Sequence, residues 1–170
     1  VDECDQAIVN NTTKIKVRRE FTPRYNLSSE YKLNMINPIY RSTIPAESIL
    51  STGFYIPFSA NIHYIDDDGA GNLRLFYFDA NQNKTIVNSK IGSVNYEKGT
   101  LIVRNLTITS LADPTFEFVL TPVSYDVITA YNQIVQVARS YLNVNVINDM
   151  TAAGSNQAGK NYIFTPIRTS

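Results

Sequence analysis

A short polar turn between two apolar runs constrains the fold of this chain more than any other feature. Residues 91–96 (IGSVNY) and 100–104 (TLIVR) flank only the three residues 97–99 (EKG). Three-residue loops join antiparallel strands through a type I turn followed by a left-handed residue, a conformation that Gly99 adopts without a Cβ clash. The sequence therefore predicts a β-hairpin at this point.

The predicted hairpin also has a register. A three-residue loop places Tyr96 opposite Thr100 and Val94 opposite Ile102. Residues 101–103 are all apolar, so the second strand has no polar face. We therefore expect that strand to lie inside a sheet rather than at its edge.

Period-two alternation of apolar and polar residues recurs along the chain, with turn residues between the runs. Tyrosine (11) and phenylalanine (8) are frequent, and aromatic and β-branched residues favour the half-buried surface of a sheet. Pro57 removes a backbone donor and favours an edge or a bulge. We predict a mainly β fold of antiparallel hairpins in a sandwich-like arrangement, with an α+β fold as the alternative. The further predicted strands lie at 15–21, 31–35, 54–58, 62–65, 73–78, 116–120 and 162–164.

The segment 126–146 is compatible with two structures. Its first part has apolar residues at helical spacing, yet residues 134–137 are rich in β-branched side chains and 142–146 alternate with asparagine. A helical turn beginning at Asp126 and followed by two strands is favoured over one long helix. No repeat or linker divides the chain, which predicts a single domain over residues 1–170.

The charge balance argues against several classes of partner. The chain has 15 Lys+Arg and 15 Asp+Glu, whereas nucleic acids and anionic membranes require a basic surface. Cys4 is the only cysteine, which excludes an internal disulfide and a cysteine-based zinc site. No apolar stretch reaches the ~20 residues of a spanning helix. We expect neither a nucleic acid nor a membrane as partner.

The run 66–69 (DDDG) has the acidic character of a calcium loop. Such a loop takes oxygen ligands at alternate positions and closes with a bidentate glutamate. Here Tyr64 stands where the loop would open and Leu75 stands where it would close. A solvated hairpin tip is the favoured interpretation, and a weak surface cation site is the alternative.

The sequence gives catalysis little support. His63 is the only histidine, and no Gly-x-Ser-x-Gly motif accompanies it, so packing or a surface position is favoured for this residue. Glu97, Glu117 and Asp79 are the carboxylates that a glycosidase would pair, but the chain has no tryptophan to stack a sugar. We assign no catalytic, cofactor-binding or metal-binding residue and predict that the protein is not an enzyme.

A cationic strand face is the charge cluster that most suits a protein partner. It carries Lys14, Lys16, Arg18 and Arg19. A solvated face is the favoured interpretation, and a docking face for an acidic neighbour is the alternative.

A series of short motifs runs through the chain in a distinctive order. Its longest member is residues 91–101 (IGSVNYEKGTL), which contain the predicted hairpin. The others are residues 21–23 (FTP), 31–34 (YKLN), 37–40 (NPIY), 51–54 (STGF), 126–127 (DV) and 132–135 (NQIV). In this order they resemble the C-terminal part of the baseplate wedge ring proteins (gene product six) of T-even-like contractile-tailed phages. The resemblance spans most of the chain.

The resemblance implies a structural, non-enzymatic virion protein. Such proteins link into a ring around the tail tube, make dimer contacts through their C-terminal region and join other wedge proteins. They support baseplate assembly and the rearrangement that precedes sheath contraction. The resemblance implies a location in the tail baseplate, after assembly in the host cytoplasm. The chain, which starts at Val1, is expected to be the C-terminal fragment of a larger protein.

We expect self-association to use the predicted C-terminal strands. Tyr141, Leu142, Val144 and Val146 combine apolar area with alternation and form the predicted dimer contact. The alternative function is a β-sandwich receptor- or carbohydrate-binding module of a fibre or adhesin. That alternative predicts saturable glycan binding by a monomer.

Overall fold

The computed structural model of the protein describes residues 15–42, 48–124 and 139–145. The chain divides into two compact units, Val1–Gln133 and Ile134–Ser170. The sequence shows no boundary between them. All strands of the described residues belong to the first unit.

The first unit is built from antiparallel β-strands, and the prediction of a mainly β fold with little helix is confirmed. The strands form one sheet that curls into a half-barrel, whereas the prediction had them sandwich-like. They are β1 (Val17–Phe21), β2 (Ser29–Asn34), β3 (Ile49–Ser51), β4 (Phe54–Tyr55), β5 (His63–Asp67), β6 (Asn72–Phe78), β7 (Lys84–Asn95), β8 (Thr100–Leu106), β9 (Ser110–Leu111) and β10 (Phe116–Leu120).

The strand order places β1 and β2 at opposite edges of the sheet. The order is β1-β10-β3-β5-β6-β7-β8-β2, and the short β4 pairs with β5 and β9 off this path. The curl brings the two edges together again, because the ring centroids of Phe21 in β1 and Tyr31 in β2 lie 5.1 Å apart. A bridge between Ile39 and Pro122 links the segments that follow β2 and β10. The curled sheet therefore encloses its own core.

Alternate side chains of the strands fill this core, as the period-two pattern predicted. Phe54, Phe116 and Phe118 are completely buried. The Phe116 ring packs edge-on against Phe54 at 5.3 Å and against Phe118 at 5.6 Å between centroids. Since burial of a phenylalanine contributes about 1.5–3 kcal/mol, these contacts fix the short β4 against β10 without a long ladder between them.

The predicted hairpin is confirmed, but its loop is one residue longer than expected. Val94 lies opposite Leu101 and Asn95 opposite Thr100, so the predicted register is wrong by one residue. Tyr96 belongs to the turn rather than to the strand. The second strand, β8, lies between β7 and β2 and is an interior strand as predicted.

Tyr96 leaves the ladder because other parts of the protein bind both its hydroxyl group and its carbonyl oxygen. Its hydroxyl donates to Asp67 Oδ2 at 2.7 Å, and its carbonyl oxygen accepts a hydrogen bond from the Ile39 amide at 2.8 Å. Within the turn, the Lys98 amide donates to the Asn95 side-chain oxygen at 2.9 Å. These tertiary bonds decide the register, and the local sequence does not contain them.

The structure describes residues 139–145 of the second unit. Arg139–Tyr141 form a 3-10 helix, and residues 142–145 have no regular structure. The predicted strand from Leu142 is therefore wrong over these residues, because a strand needs a hydrogen-bonded neighbour and no described strand pairs with this segment. The predictions for 126–138, Val146 and 162–164 lie outside the described residues.

In the part of the chain that the structure describes, no helix is long and apolar enough to cross a membrane.

Candidate interaction surfaces

The residues predicted to mediate self-association lie on an exposed segment. Tyr141, Leu142 and Val144 are 56%, 63% and 74% exposed. Val146 lies outside the described residues. Single exposed apolar side chains are common, and three of them within four residues make the segment 141–144 a candidate interaction surface.

A groove opens in the first unit where β7 and β8 separate. The two strands pair from Asn95–Thr100 as far as Gly92–Val103. Beyond the Gly92–Val103 pair, β7 continues alongside β6 with register shifts, and β8 continues alongside β2. Asn105 in β8 has φ +52°, a left-handed conformation that bends the strand. These irregularities leave a gap between the two strands, which we call the β7–β8 groove.

The β7–β8 groove has an apolar floor and a cationic rim. Its volume is about 570 Å³, within the ~300–1,000 Å³ of ligand pockets. The buried side chains of Leu75, Ile91 and Leu106 line it, and the exposed Lys90 and Arg104 stand at its rim. None of the described residues that line it is aromatic. The groove is therefore shaped for an apolar group that tolerates nearby positive charge.

Phe58 comes directly after two residues that line the groove, and its ring is exposed to solvent. Ile56 and Pro57 line the groove, whereas Phe58 is fully exposed. Phe58 has φ +62°, a left-handed conformation that costs a residue with a Cβ about 1–2 kcal/mol. The sequence predicted an edge or a bulge at Pro57, and β4 ends at Tyr55, just before it. A strained backbone thus holds an aromatic ring away from the protein surface.

The acidic run 66–69 is a solvated hairpin tip only in part. Asp66 and Asp67 belong to β5 and are buried, so the prediction of a solvated tip is wrong for both. Asp68 lies in the turn, where its Oδ1 accepts hydrogen bonds from the amides of Ala70 at 2.7 Å and Asn72 at 3.0 Å. Burial alone would raise the pKa of Asp68, but the hydrogen bonds from Asn72 and Ala70 outweigh it and lower that pKa.

Asp67 accepts hydrogen bonds on the core side of the sheet. Its Oδ1 accepts a hydrogen bond from the Ile49 amide at 3.2 Å, and its Oδ2 accepts the Tyr96 hydroxyl at 2.7 Å. Burial and the Asp67 carboxylate raise the pKa of Tyr96 well above its ordinary value. Among the described residues, no group of three or more His, Cys, Asp or Glu side chains is placed to hold a metal ion.

Asp66 forms a buried charge cluster on the outer face of the sheet. Its side chain is completely buried and accepts hydrogen bonds from Arg74 Nε at 3.1 Å and Arg74 Nη2 at 2.6 Å. Lys84 Nζ also binds Asp66 Oδ2 and lies 3.9 Å from the centre of the Phe76 ring. Sequence reasoning missed this cluster. The available signal was the hairpin register, which places Asp66 opposite Arg74.

His63 is a packed core residue, as the favoured interpretation held. It is 1% exposed, and its Nδ1 lies 2.8 Å from the Asn61 carbonyl oxygen. Its ring contacts Tyr77 at 5.5 Å between centroids. Burial lowers the pKa of His63, and the hydrogen bond to Asn61 offsets this only in part.

Acidification is expected to destabilise the sheet through His63. As the pH falls through about 6.5, the unfolded chain takes up a proton on His63 while the folded state resists it, so the free energy of unfolding decreases. Asp68 and Asp79, whose pKa values are lowered, contribute only at more acidic pH. Urea unfolding at pH 7.5 and pH 5.5 measures the loss. His63→Phe removes the only histidine and should flatten the difference. An unchanged difference in that variant would contradict the assignment.

The three carboxylates considered for sugar hydrolysis lie on separate elements. Glu97 is in the turn after β7, and Asp79 is in the turn before it, so the length of that strand separates them. Glu117 lies in β10 and accepts a hydrogen bond from Arg18 Nη1 at 3.1 Å. Arg18 is thus engaged within the sheet rather than simply solvated, and Lys14 lies outside the described residues.

Comparisons with protein families, curated proteins and solved structures found no match to this chain. Function is therefore inferred from the chain's own residues. The two surfaces that remain as candidates are the exposed segment 141–144 and the β7–β8 groove with Phe58.

Proposed function

We propose that this protein is a structural component of a phage tail baseplate. In this role it associates with itself and with other wedge proteins in the ring around the tail tube. It supports baseplate assembly and the rearrangement that precedes sheath contraction. It resides in the virion after assembly in the host cytoplasm, and it needs no enzymatic activity, cofactor, nucleic acid or membrane. The ordered motifs between residues 21 and 135, which resemble the wedge ring proteins, support this proposal.

The observation that carries self-association is the exposure of Tyr141, Leu142 and Val144. Burial of a leucine or valine side chain contributes about 1.5–3 kcal/mol. A contact that covers this segment would therefore be stabilised by the removal of these side chains from water. Tyrosine adds apolar area together with a hydroxyl group, which suits a protein interface. The formal net charge of zero means that copies of the chain do not repel one another at long range.

Leu142→Arg combined with Val144→Arg is expected to weaken self-association. Each arginine would have to lose its hydration in the contact, which is costly for an unpaired charge. Light scattering across a concentration series should show the apparent mass falling toward that of the 19.1 kDa monomer.

The control adds the same two charges elsewhere. Ala80→Arg combined with Asn81→Arg places them in the exposed turn between β6 and β7 and should leave the mass unchanged. If the Leu142→Arg, Val144→Arg variant kept both the wild-type mass and the wild-type circular dichroism, the segment 141–144 would not be the contact.

The alternative, a receptor- or carbohydrate-binding module, would bind its ligand in the β7–β8 groove. Sugar platforms are commonly aromatic, however, and no aromatic side chain lines this groove in the part of the chain that the structure describes. A glycan screen on the same sample tests the alternative. Saturable binding by a protein that stays monomeric at high concentration would favour it over the baseplate role.

A further inference from the structure

We propose that the β7–β8 groove receives Phe58 from a second copy of this chain. The contact would be reciprocal, so that each subunit of a two-fold dimer inserts its Phe58 ring into the groove of the other. This inference rests on the proposed function, because it gives a self-associating protein an interface separate from the segment 141–144.

The ring and the groove complement each other in shape and polarity. Phe58 is a fully exposed aromatic side chain, and the groove of about 570 Å³ has an apolar floor of Leu75, Ile91 and Leu106. Among the described residues, no aromatic side chain occupies the groove wall. An inserted ring would remove from water the apolar surface of both the ring and the floor.

The charged rim also suits an aromatic occupant. Lys90 and Arg104 line the groove, and a cation held over a ring face is attracted by the negative face of the ring. The protein already uses such a contact where Lys84 Nζ lies 3.9 Å from the centre of the Phe76 ring. Arg104 forms an exposed ion pair with Glu30 at 3.5 Å, which is weak enough to rearrange when a ring enters.

The position of Phe58 beside the groove favours a two-fold dimer. Ile56 and Pro57 line the groove, so the ring and the groove that would receive its partner are neighbours on one surface. In a two-fold interface, residue i contacts residue j and j contacts i, and one axis beside Pro57 satisfies both contacts at once. The left-handed conformation of Phe58, at φ +62°, also has a purpose in this arrangement, because it directs the ring outward.

The area of the contact predicts its strength. Each phenylalanine buries about 150–250 Å², so two rings and the two grooves together fall below the ~1,200 Å² of a standard interface. The dimer is therefore expected to be weak and to depend on concentration. A weak contact of this kind, combined with a second one through the segment 141–144, would give each subunit two different interfaces, which together allow an assembly larger than a dimer.

Two variants test the two halves of the contact in the full chain. Phe58→Ser removes the ring, and Val87→Trp fills the groove from a lining residue that is 48% exposed and tolerates a larger side chain. Because the wild type has no tryptophan, the fluorescence emission of the Val87→Trp variant reports directly whether the introduced indole is shielded from water. Sedimentation velocity across a concentration series should show association that is roughly thirty-fold weaker in each variant, a factor typical of an interface hot spot.

Val123→Ser is the matched control, because it removes another exposed apolar side chain of the same unit. It should associate like the wild type. Weaker association of Phe58→Ser and Val87→Trp, with Val123→Ser unchanged, would support the reciprocal contact. Association of Phe58→Ser equal to that of the wild type, including a wild type that is monomeric throughout, would overturn it. Loss of association in Leu142→Arg, Val144→Arg but not in Phe58→Ser would overturn this inference and leave the proposed function standing.

Discussion

Replacing Asp66 by alanine is expected to lower the free energy of unfolding of the sheet by about 3 kcal/mol. Asp66 is completely buried and accepts two hydrogen bonds from Arg74, at 3.1 and 2.6 Å, while Lys84 binds the same carboxylate. Removal of one partner from a buried ion pair costs about 3–5 kcal/mol, because the remaining charges lose their compensation. The side chains of Arg74 and Lys84 are 18% and 27% exposed, so water reaches them in part and the lower end of that range applies.

Urea unfolding followed by tyrosine fluorescence measures this loss, since the chain has 11 tyrosines and no tryptophan. Glu30→Ala is the matched control, because it deletes the exposed ion pair with Arg104. Exposed pairs contribute about 0–1 kcal/mol, so this variant should remain close to the wild type. A loss for Asp66→Ala as small as that for Glu30→Ala would show that the cluster contributes no more than a surface pair.

The sequence located most of the longer strands because their alternation is local. Residues 116–120 form β10 as predicted, and the hairpin of β5 and β6 lies where the acidic run suggested. β5 continues to Asp67, however, beyond the predicted end at Ile65. Considered one at a time, Asp66 and Asp67 are residues typical of loops. They are strand residues here because Arg74, Lys84 and Tyr96 compensate their buried carboxylates.

Other strands carry no local signal, because distant neighbours define them. β3 and β9 contain three and two residues, respectively. Ser51 of β3 pairs with Phe118, and Ser110 of β9 pairs with Tyr55, each far away in sequence. Runs this short show no periodicity, so only the folded sheet reveals them.

The candidate surfaces differ in how far the sequence predicted them. Tyr141, Leu142 and Val144 were selected from local composition, and their role in self-association stays a prediction. The β7–β8 groove was not predictable, because it arises from register shifts between β6 and β7 and from a bend at Asn105. The outward direction of Phe58 was hidden for a similar reason, since it depends on a backbone conformation that phenylalanine rarely adopts.

The turn between β7 and β8, whose register differs from the predicted one, contains the residue whose replacement should have the second large effect on the free energy of unfolding. Gly99 has φ +61°, and its carbonyl oxygen accepts a hydrogen bond from the Met35 amide at 2.8 Å. A Cβ at this position would overlap the backbone carbonyl of Asn37. Asn37 cannot easily move away, because its amide and its side chain both donate to the Met35 carbonyl, at 2.7 and 3.1 Å. The turn and the segment 35–37 thus interlock through backbone contacts.

Gly99→Ala is therefore expected to lower the free energy of unfolding by about 2–5 kcal/mol. The left-handed conformation contributes about 1–2 kcal/mol and the steric overlap about 1–3 kcal/mol. Gly99→Asn separates these two causes, because asparagine tolerates the left-handed conformation, as Asn26 and Asn105 do here at φ +57° and +52°. If overlap with Asn37 dominates, urea unfolding will show Gly99→Asn nearly as unstable as Gly99→Ala. A Gly99→Asn variant with the stability of the wild type would mean that the segment 35–37 yields, and that the glycine serves only the conformation of the turn.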